Sequence, residues 1–441
     1  MNSRPISDRE VSEPTASIPS AAAVGVAPWW TRWWLSVLTI LILGVLVGLA
    51  LHSLNGPAPR SESRTDAPAA PADRPAVDVQ PGEVREGPWG RLEIIPIVIR
   101  PPMEFVWHVG LDHSGGVTWR FPKMSLSQLN DKLIELGLPD PVLTALRSQA
   151  KLNPTIDGYT VSPDRELVLG LAPEVRAKLY VLLHRFQENE DQASAFRFCG
   201  PSVEAWFGDS PMQPETKRLV TPLIYRDGSF LFFSDLRSVE PLLPSAEERI
   251  TLIRALTRES TMLLRLQVSE ESDANSLVNY WGRGGRDKEV RPIIASLRLI
   301  GGPQSLDVTQ LLPPFARQRI YTYPSPRPDE ESVKRDCFWT AMNFFSEQPD
   351  DRFVDVEKVS EALRENYRRI YGGQQFGDLV FYVDRQQKPL HSAVYVAGDV
   401  LFTKNGSTIA RPWMFIQMED MKHFYPQTNK KEAVFFRRKG L

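Results

Sequence analysis

Residues 377–406, "GDLVFYVDRQQKPLHSAVYVAGDVLFTKNG", decide the fold of the C-terminal part of the chain. Three segments within them, "GDLVFYVD", "HSAVYVAGD" and "VLFTKNG", are rich in Val, Phe and Tyr, which is typical of strands. Gly377-Asp378 and Ala397-Gly398-Asp399 are turn sequences beside these segments. Because short turns join antiparallel neighbours, the pattern predicts successive strands of an antiparallel sheet.

Two amphipathic segments precede these strands. "RDCFWTAMNFFSE" at 335–347 places Asp336 as an N-cap and puts Phe338, Met342 and Phe345 on one helical face. Cys337 is then at or near the first helical position. "VEKVSEALRENYRRIY" at 356–371 has the pattern of a second amphipathic helix. Helices followed by an antiparallel sheet predict an α+β fold.

Cys337 and His391 form a candidate Cys–His pair. A thiol at a helix N-terminus lies near unpaired backbone N–H groups and the positive end of the helix dipole, which stabilise the thiolate. His391 opens a predicted strand downstream, and only His423 follows it. A Cys-bearing helix packed on a His-bearing antiparallel sheet is the arrangement that activates the thiol in papain-like sites. We therefore expect a nucleophilic Cys337 and a His391 that stabilises the thiolate and protonates the leaving amine.

The order of these motifs resembles the NlpC-type branch of papain-fold cysteine peptidases and amidases. "DC" opens a helix, "GDLVFY" follows, and "HSAVYV" forms a strand. The family reads Asp-Cys-Ser-Gly, Gly-Asp-Leu-Val-Phe-Phe and His-Val-Gly-Ile-Tyr in the same order. The resemblance covers roughly Tyr321 to Leu441 and implies a papain-like domain that acts on cell-wall peptide. This chain departs from the family at Phe338-Trp339, where Ser-Gly is usual and where bulk narrows or blocks the cleft.

The resemblance also implies a third polar residue on the strand after the histidine, and the candidates are Thr403, Lys404 and Asn405. A three-residue turn between the strands places His391 opposite Asn405, whose amide oxygen can orient the imidazole. A two-residue turn places His391 on the face of Lys404, which has no acceptor. The chemistry favours the first register, so we predict Asn405 as the orienting residue.

Two other interpretations of Cys337 remain open. The chain has two cysteines, an even count, so Cys337 and Cys199 could pair in an oxidising compartment. The second interpretation is that Cys337 is a buried, inert thiol. The alternative to a hydrolase is a catalytically inactive, anchored binding or scaffold protein that keeps the papain-like fold while large residues fill the cleft.

The run from Trp33 to Leu51 contains no charged residue and spans roughly 28 Å as a helix. It predicts a single transmembrane helix within residues 33–53, with tryptophans at its start. Residues 1–32 then form a cytoplasmic tail, and the Pro- and Ala-rich residues 54–88 form an extended linker. A cleaved signal peptide is the alternative, which the long apolar run and the long leading segment disfavour.

Basic residues on the two sides of this run are equal in number, so orientation follows from the short N-terminal tail. We expect a single-pass inner-membrane protein whose C-terminal domains are extracytoplasmic. More than one core is expected after the linker, and we predict a helix-rich domain at 89–320 and a papain-like domain at 321–441. The bilayer and a cell-wall peptide are the expected partners, and the sequence identifies no protein partner.

Residues 89–320 carry helical periodicity at "SLSQLNDKLIELGL", "APEVRAKLYVLLHRFQ" and "SAEERITLIRALTRESTMLLRL", and one predicted hairpin, "TPLIYRDGSFLFF". His108 and His113 lack a third or fourth ligand, so we expect neither a metal nor a cofactor. The net charge of -2, with 42% hydrophobic and 24% charged residues, is that of an ordinary folded protein and does not suggest nucleic-acid binding.

Overall fold

The computed structural model describes residues 82–106, 116–148, 152–324, 335–384, 386–407, 411–424 and 432–441. These residues belong to one compact unit, Asp78–Leu441. The predicted cytoplasmic tail, transmembrane helix and most of the linker lie outside the described residues, as do His108 and His113. Within the described ranges, no helix is long and apolar enough to cross a membrane. The fold is α+β, as the sequence predicts.

The strands of the described ranges form four antiparallel sheets. The strands are β1 Glu83–Gly87, β2 Gly90–Ile99, β3 Trp119–Pro122, β4 Leu152–Thr155, β5 Gly158–Val161, β6 Phe196–Cys199, β7 Tyr225–Asp227, β8 Phe230–Phe233, β9 Glu259–Val268, β10 Gln304–Asp307, β11 Tyr367–Ile370, β12 Leu379–Val383, β13 Pro389–Ala397, β14 Val400–Lys404, β15 Trp413–Gln417 and β16 Glu432–Arg438. The largest sheet has six strands in the order β11-β16-β12-β13-β14-β15. The others have the orders β1-β2-β9-β10, β3-β5-β4 and β6-β8-β7.

Helices cover the sheets and fill the segments between them. They are α1 Met103–Val106, α2 Leu126–Glu135, α3 Asp140–Arg147, α4 Arg165–Gly170, α5 Pro173–Leu183, α6 Glu190–Ala193, α7 Val203–Phe207, α8 Pro214–Val220, α9 Leu236–Val239, α10 Ala246–Leu256, α11 Ala274–Trp281, α12 Asp287–Ile300, α13 Pro314–Arg319, α14 Cys337–Met342, α15 Val356–Asn366 and α16 Met418–Phe424. Short 3-10 turns occupy Thr221–Leu223, Glu240–Leu242, Val308–Leu311 and Asp351–Val354.

The clearest helix predictions in the middle region are confirmed. Ser125 and Gln128 form a capping box at the start of α2. Pro173 occupies the first turn of α5, where its missing N–H leaves no hydrogen bond unmade. The predicted hairpin is also present as β7 and β8, and Gly228 adopts φ +59° in its turn.

Two helix predictions extend too far. The segment "TMLLRL" continues the helical periodicity of α10, yet it lies in β9. The helix expected over 356–371 ends at Asn366, and Tyr367–Ile370 form a strand instead. The middle region also contains more sheet than one hairpin. In each case pairing with a strand distant in the sequence overrides the local periodicity, as β2 does for β9 and β16 does for β11.

The six-stranded sheet is buried on both faces. Val394 and Phe402 pack with α14 in one hydrophobic cluster, whereas Ala393, Tyr395 and Leu401 pack in another cluster with helices of the middle region. Each cluster contains residues from before and after residue 320. The two domains predicted at 89–320 and 321–441 therefore share their cores, and their separation remains a prediction.

A buried ion pair joins α5 to the segment that leads into α9. The Arg176 guanidinium contacts the Asp235 carboxylate, and their side chains are 0% and 2% exposed. Arg176 also donates to the carbonyl oxygens of Val168 at 2.8 Å and Leu171 at 3.1 Å, and the Tyr180 hydroxyl donates to Asp235. One side chain thus connects α4, α5 and α9.

We expect Arg176→Met to lower the free energy of unfolding by about 3 to 5 kcal/mol, because it leaves the Asp235 carboxylate buried without its cation. Arg218→Met is the matched control, since Arg218 pairs with Glu215 on the surface and is 75% exposed. Urea unfolding of both variants measures the effect. Equal, small losses would show that the buried pair contributes no more than a surface pair.

Candidate functional site

Cys337 is the first residue of α14, as the sequence predicts. The Asp336 carboxylate caps the helix and accepts hydrogen bonds from the backbone N–H groups of Phe338 at 2.9 Å and Trp339 at 3.2 Å. The helix packs on β13 and β14 with every residue buried, and Cys337 itself is only 4% exposed. The predicted arrangement of a Cys-bearing helix on an antiparallel sheet is therefore present.

The environment of the thiol favours its neutral form. The pKa of Cys337 is raised to about 12, mainly by burial and also by the adjacent Asp336 carboxylate. The backbone amide and hydroxyl of Ser392 and the Lys404 side chain lower this pKa, but they do not compensate for the loss of water. A helix of one and a half turns supplies little dipole to oppose desolvation. The expected thiolate-stabilising position is present, but the thiolate is disfavoured.

His391 does not lie beside Cys337. Successive side chains along a strand point to opposite faces of a sheet. Ser392 faces the sulfur of Cys337, so its neighbour His391 points to the other face. There the imidazole is fully buried, and its ring lies 6.4 Å from the ring of Phe424, centroid to centroid. The structure thus places the two side chains on opposite faces of the sheet, and the Cys–His pair stays a prediction.

The hydroxyl of Thr403 contacts the imidazole of His391. Thr403 Oγ1 lies 3.0 Å from His391 Nε2 and 3.0 Å from the backbone carbonyl oxygen of Ser392. A hydroxyl has one proton, which this carbonyl accepts, so the imidazole Nε2–H is the donor to Thr403. This bond links the His391 imidazole to the neighbouring strand β14.

Both turn alternatives are partly correct. Gly398 and Asp399 form a two-residue turn with φ +54° and +65°, typical of a tight hairpin. Val396 is an extra residue before it, because Ala397 pairs with Val400 but Tyr395 pairs with Leu401. Because of this bulge, β13 and β14 pair in the register that the three-residue turn predicts. Continued along both strands, this register places His391 opposite Asn405.

Asn405 shares the buried face with His391, but its amide oxygen does not accept a hydrogen bond from the imidazole. Its side chain is buried, and Nδ2 lies 3.5 Å from the Met414 sulfur. Its Oδ1 has no hydrogen-bond partner among the residues that the structure describes. Thr403, the first of the three candidates, occupies the orienting position instead. The catalytic roles assigned to Cys337, His391 and Asn405 remain predictions.

Lys404 and Ser392 are polar side chains of the sheet that lie on the Cys337 face. Lys404 is fully buried, and its Nζ donates to the Gly406 carbonyl oxygen at 2.5 Å. Burial lowers the pKa of Lys404 to about 7, although Cys337 and Asp336 act in the opposite direction. Ser392 was not a sequence candidate. Strand alternation could have identified Ser392, because residues 392 and 394 share a face of β13 and Val394 faces α14.

The two bulky residues after the cysteine are part of the core. The Phe338 ring stacks on Phe381 with centroids 6.0 Å apart. The Trp339 indole N–H donates to the Asp351 carboxylate at 2.8 Å, and its ring packs against Phe315 at 5.1 Å. They occupy the space where the family resemblance implies small residues beside an open cleft.

Cys199 and Cys337 are both free thiols. Cys199 ends β6 and packs with the cluster on the opposite face of the six-stranded sheet from Cys337. The disulfide alternative is therefore not found. In the described part of the chain, no three His, Cys, Asp or Glu side chains are grouped so that they could hold a metal ion.

The lowered pKa of Lys404 predicts a pH dependence of stability. Between pH 7 and pH 9 the unfolded state keeps a proton on this amine while the folded state loses it, so stability rises with pH, by roughly 2 kcal/mol. Lys404→Met should remove this rise, and Lys358→Met, on the exposed face of α15, should keep it. Urea unfolding at both pH values measures it; an unchanged rise in Lys404→Met would contradict the assignment.

Comparison with known proteins adds no relative to this description. No protein-family model, no curated protein and no solved structure matches the chain.

Proposed function

We propose that residues 321–441 form a papain-like fold used as a non-catalytic binding or scaffold module of a membrane-anchored envelope protein. The observation that carries this proposal is the placement of Cys337 and His391 on opposite faces of the six-stranded sheet. The order of elements supports the papain-like fold, because a Cys-bearing helix precedes and packs on an antiparallel sheet.

The geometry opposes the Cys–His mechanism for a specific reason. A general base must come within hydrogen-bond reach of the proton that it removes. Bringing His391 to Cys337 requires β13 to slip by one residue, which would move Val394 from the cluster that contains Cys337 to the opposite face of the sheet. Substrate binding can tighten a loose contact, but a slip of this kind would disrupt the pairing of β13 with both β12 and β14.

A thiol with a pKa of about 12 is also a poor nucleophile at neutral pH. Only on the order of one molecule in 10⁴ to 10⁵ carries the thiolate near pH 7.5. Cys337 is 4% exposed and Lys404 is fully buried, so a substrate carbonyl has no direct access to the sulfur. Both properties suit a structural cysteine.

The second candidate is a cysteine peptidase or amidase in which Lys404 replaces the histidine. One observation favours it: Lys404 lies close enough to Cys337 for each to shift the pKa of the other, and a pKa of about 7 makes its amine a possible base. This candidate requires α14 to move away from β14 so that a substrate can reach the thiol. It keeps the cell-wall peptide as the substrate class that the resemblance implies.

Anchoring and location complete the proposal and depend on the sequence alone. The uncharged run at 33–51 would hold the protein in the inner membrane. The linker at 54–88 would then place the described unit on the extracytoplasmic side.

Thiol reactivity tests the proposal. In a Cys199→Ser background, Cys337 is the only cysteine, and we expect iodoacetamide to leave it unmodified in the folded full-length chain at pH 7.5. Burial and the raised pKa both slow the reaction. Mass spectrometry measures the modified fraction with time, and the same chain in 6 M guanidinium should be modified completely.

Rapid modification of folded Cys337, at the rate of the unfolded chain or faster, would contradict the non-catalytic assignment. His391→Ala distinguishes the remaining hydrolase candidates. Fast labelling that is lost in His391→Ala would support a Cys–His pair, whereas fast labelling lost only in Lys404→Met would support the lysine.

A further inference from the structure

A cavity of about 400 Å³ lies between α15 and the edge of the six-stranded sheet. Val359, Leu363 and Tyr367 line it from α15 and the residue that follows, and Phe381 and Val434 line it from the sheet. Phe338, the residue after Cys337, closes one part of it. The cavity is separate from the thiol, because neither Cys337 nor Lys404 is among its lining residues.

The lining follows from the periodicities of the two elements. Residues 356, 359, 360, 363, 364 and 367 line the cavity, and this spacing forms one face of α15. Phe381 and Val383 of β12 lie two apart and project from one face of the sheet, as do Val434 and Phe436 of β16. The apolar faces of the helix and the sheet pack in one hydrophobic cluster, and the cavity lies along this contact.

The cavity is partly open to solvent, and apolar side chains form most of its lining. A cavity lined by apolar side chains is a poor site for water and a good one for an apolar guest. Its volume is within the range of small-molecule sites.

The charged residues that line the cavity are cationic. Arg364 lies on the cavity face of α15 and is solvent-exposed, with no ion pair in the parts of the chain that the structure describes. Arg369 of β11 also lines it and pairs with Glu432 at 3.1 Å, outside the lining. An apolar interior with exposed guanidinium groups is complementary to a molecule with one apolar chain and one anionic head.

We propose that this cavity binds a single-chain amphiphile with a carboxylate headgroup, the acyl chain between α15 and the sheet and the headgroup at Arg364 and Arg369. The proposal deepens the binding function proposed above and rests on it by naming a ligand class. Its test is independent of thiol chemistry, so that failure of either proposal can be recognised separately.

The probe is a twelve-carbon fatty acid that carries a diazirine and a terminal alkyne, applied to the full-length chain in lipid nanodiscs. We expect irradiation to label peptides from α15, β12 or β16. Unlabelled dodecanoate should compete about tenfold more strongly than dodecanol, since only the carboxylate pairs with the arginines.

Leu363→Trp fills the cavity and should reduce labelling about tenfold, whereas Leu299→Trp, at a position 87% exposed on α12, should not. Ser360→Phe is the second filling variant, in case Leu363→Trp does not fold, and thermal melting checks both. Replacing Arg364 and Arg369 together by Gln should remove the preference for dodecanoate over dodecanol. Lys358→Gln, an exposed cation on the same helix outside the lining, should retain it.

Three results would overturn the proposal. Absence of labelling would indicate that there is no site, and labelling only of peptides outside the cavity would indicate a site elsewhere. Equal competition by dodecanoate and dodecanol would contradict the carboxylate assignment. Undiminished labelling in both filling variants, with their folding intact, would exclude the cavity as the site.

Discussion

The alternation of side chains along β13 is the constraint on which the rest of the candidate site depends. Ser392 faces α14 and Cys337, and His391 faces Phe424 of α16 on the opposite side of the sheet. Val394 fixes this choice, because its apolar side chain packs in the cluster that contains Cys337. Because the sheet is buried on both faces, a strand that exchanged its faces would disrupt the packing of both hydrophobic clusters.

The same constraint explains the chemistry of the buried polar groups. Lys404 lies on the Cys337 face and Thr403 on the His391 face, because they are neighbours in β14. On the Cys337 face an amine lies near the thiol, and on the His391 face a hydroxyl contacts the imidazole. Neither contact combines a low-pKa thiol with an imidazole, and both are surrounded by core residues.

Much of the local structure could be predicted from the sequence. Asp336 predicted the start of α14, and the strands β12, β13 and β14 were predicted near their observed positions. The face of His391 could not be predicted with the same security. It depends on which strand residues meet α14, and His391, Ser392 and Ala393 offer no alternation of polarity by which to choose.

The longer-range features were beyond local patterns. The helical periodicity of "TMLLRL" did not reveal that β2 pairs with this segment over nine residues, which makes it a strand. The turn between β13 and β14 has two residues, yet the bulge at Val396 gives the strands the register predicted for a three-residue turn. The cavity beside α15 could not be predicted from the sequence, because both of its walls have ordinary amphipathic patterns and its shape depends on how they pack together.

Cysteine crosslinking measures the central claim, that Ser392 rather than His391 faces Cys337, most directly. In a Cys199→Ser background, mild oxidation of Ser392→Cys should join position 392 to Cys337 by an intramolecular disulfide, since residues whose side chains meet satisfy its short reach. His391→Cys, one residue away, should form none. Peptide mapping by mass spectrometry identifies the bond. A disulfide to position 391 and none to position 392 would contradict the account and return His391 to the side of Cys337.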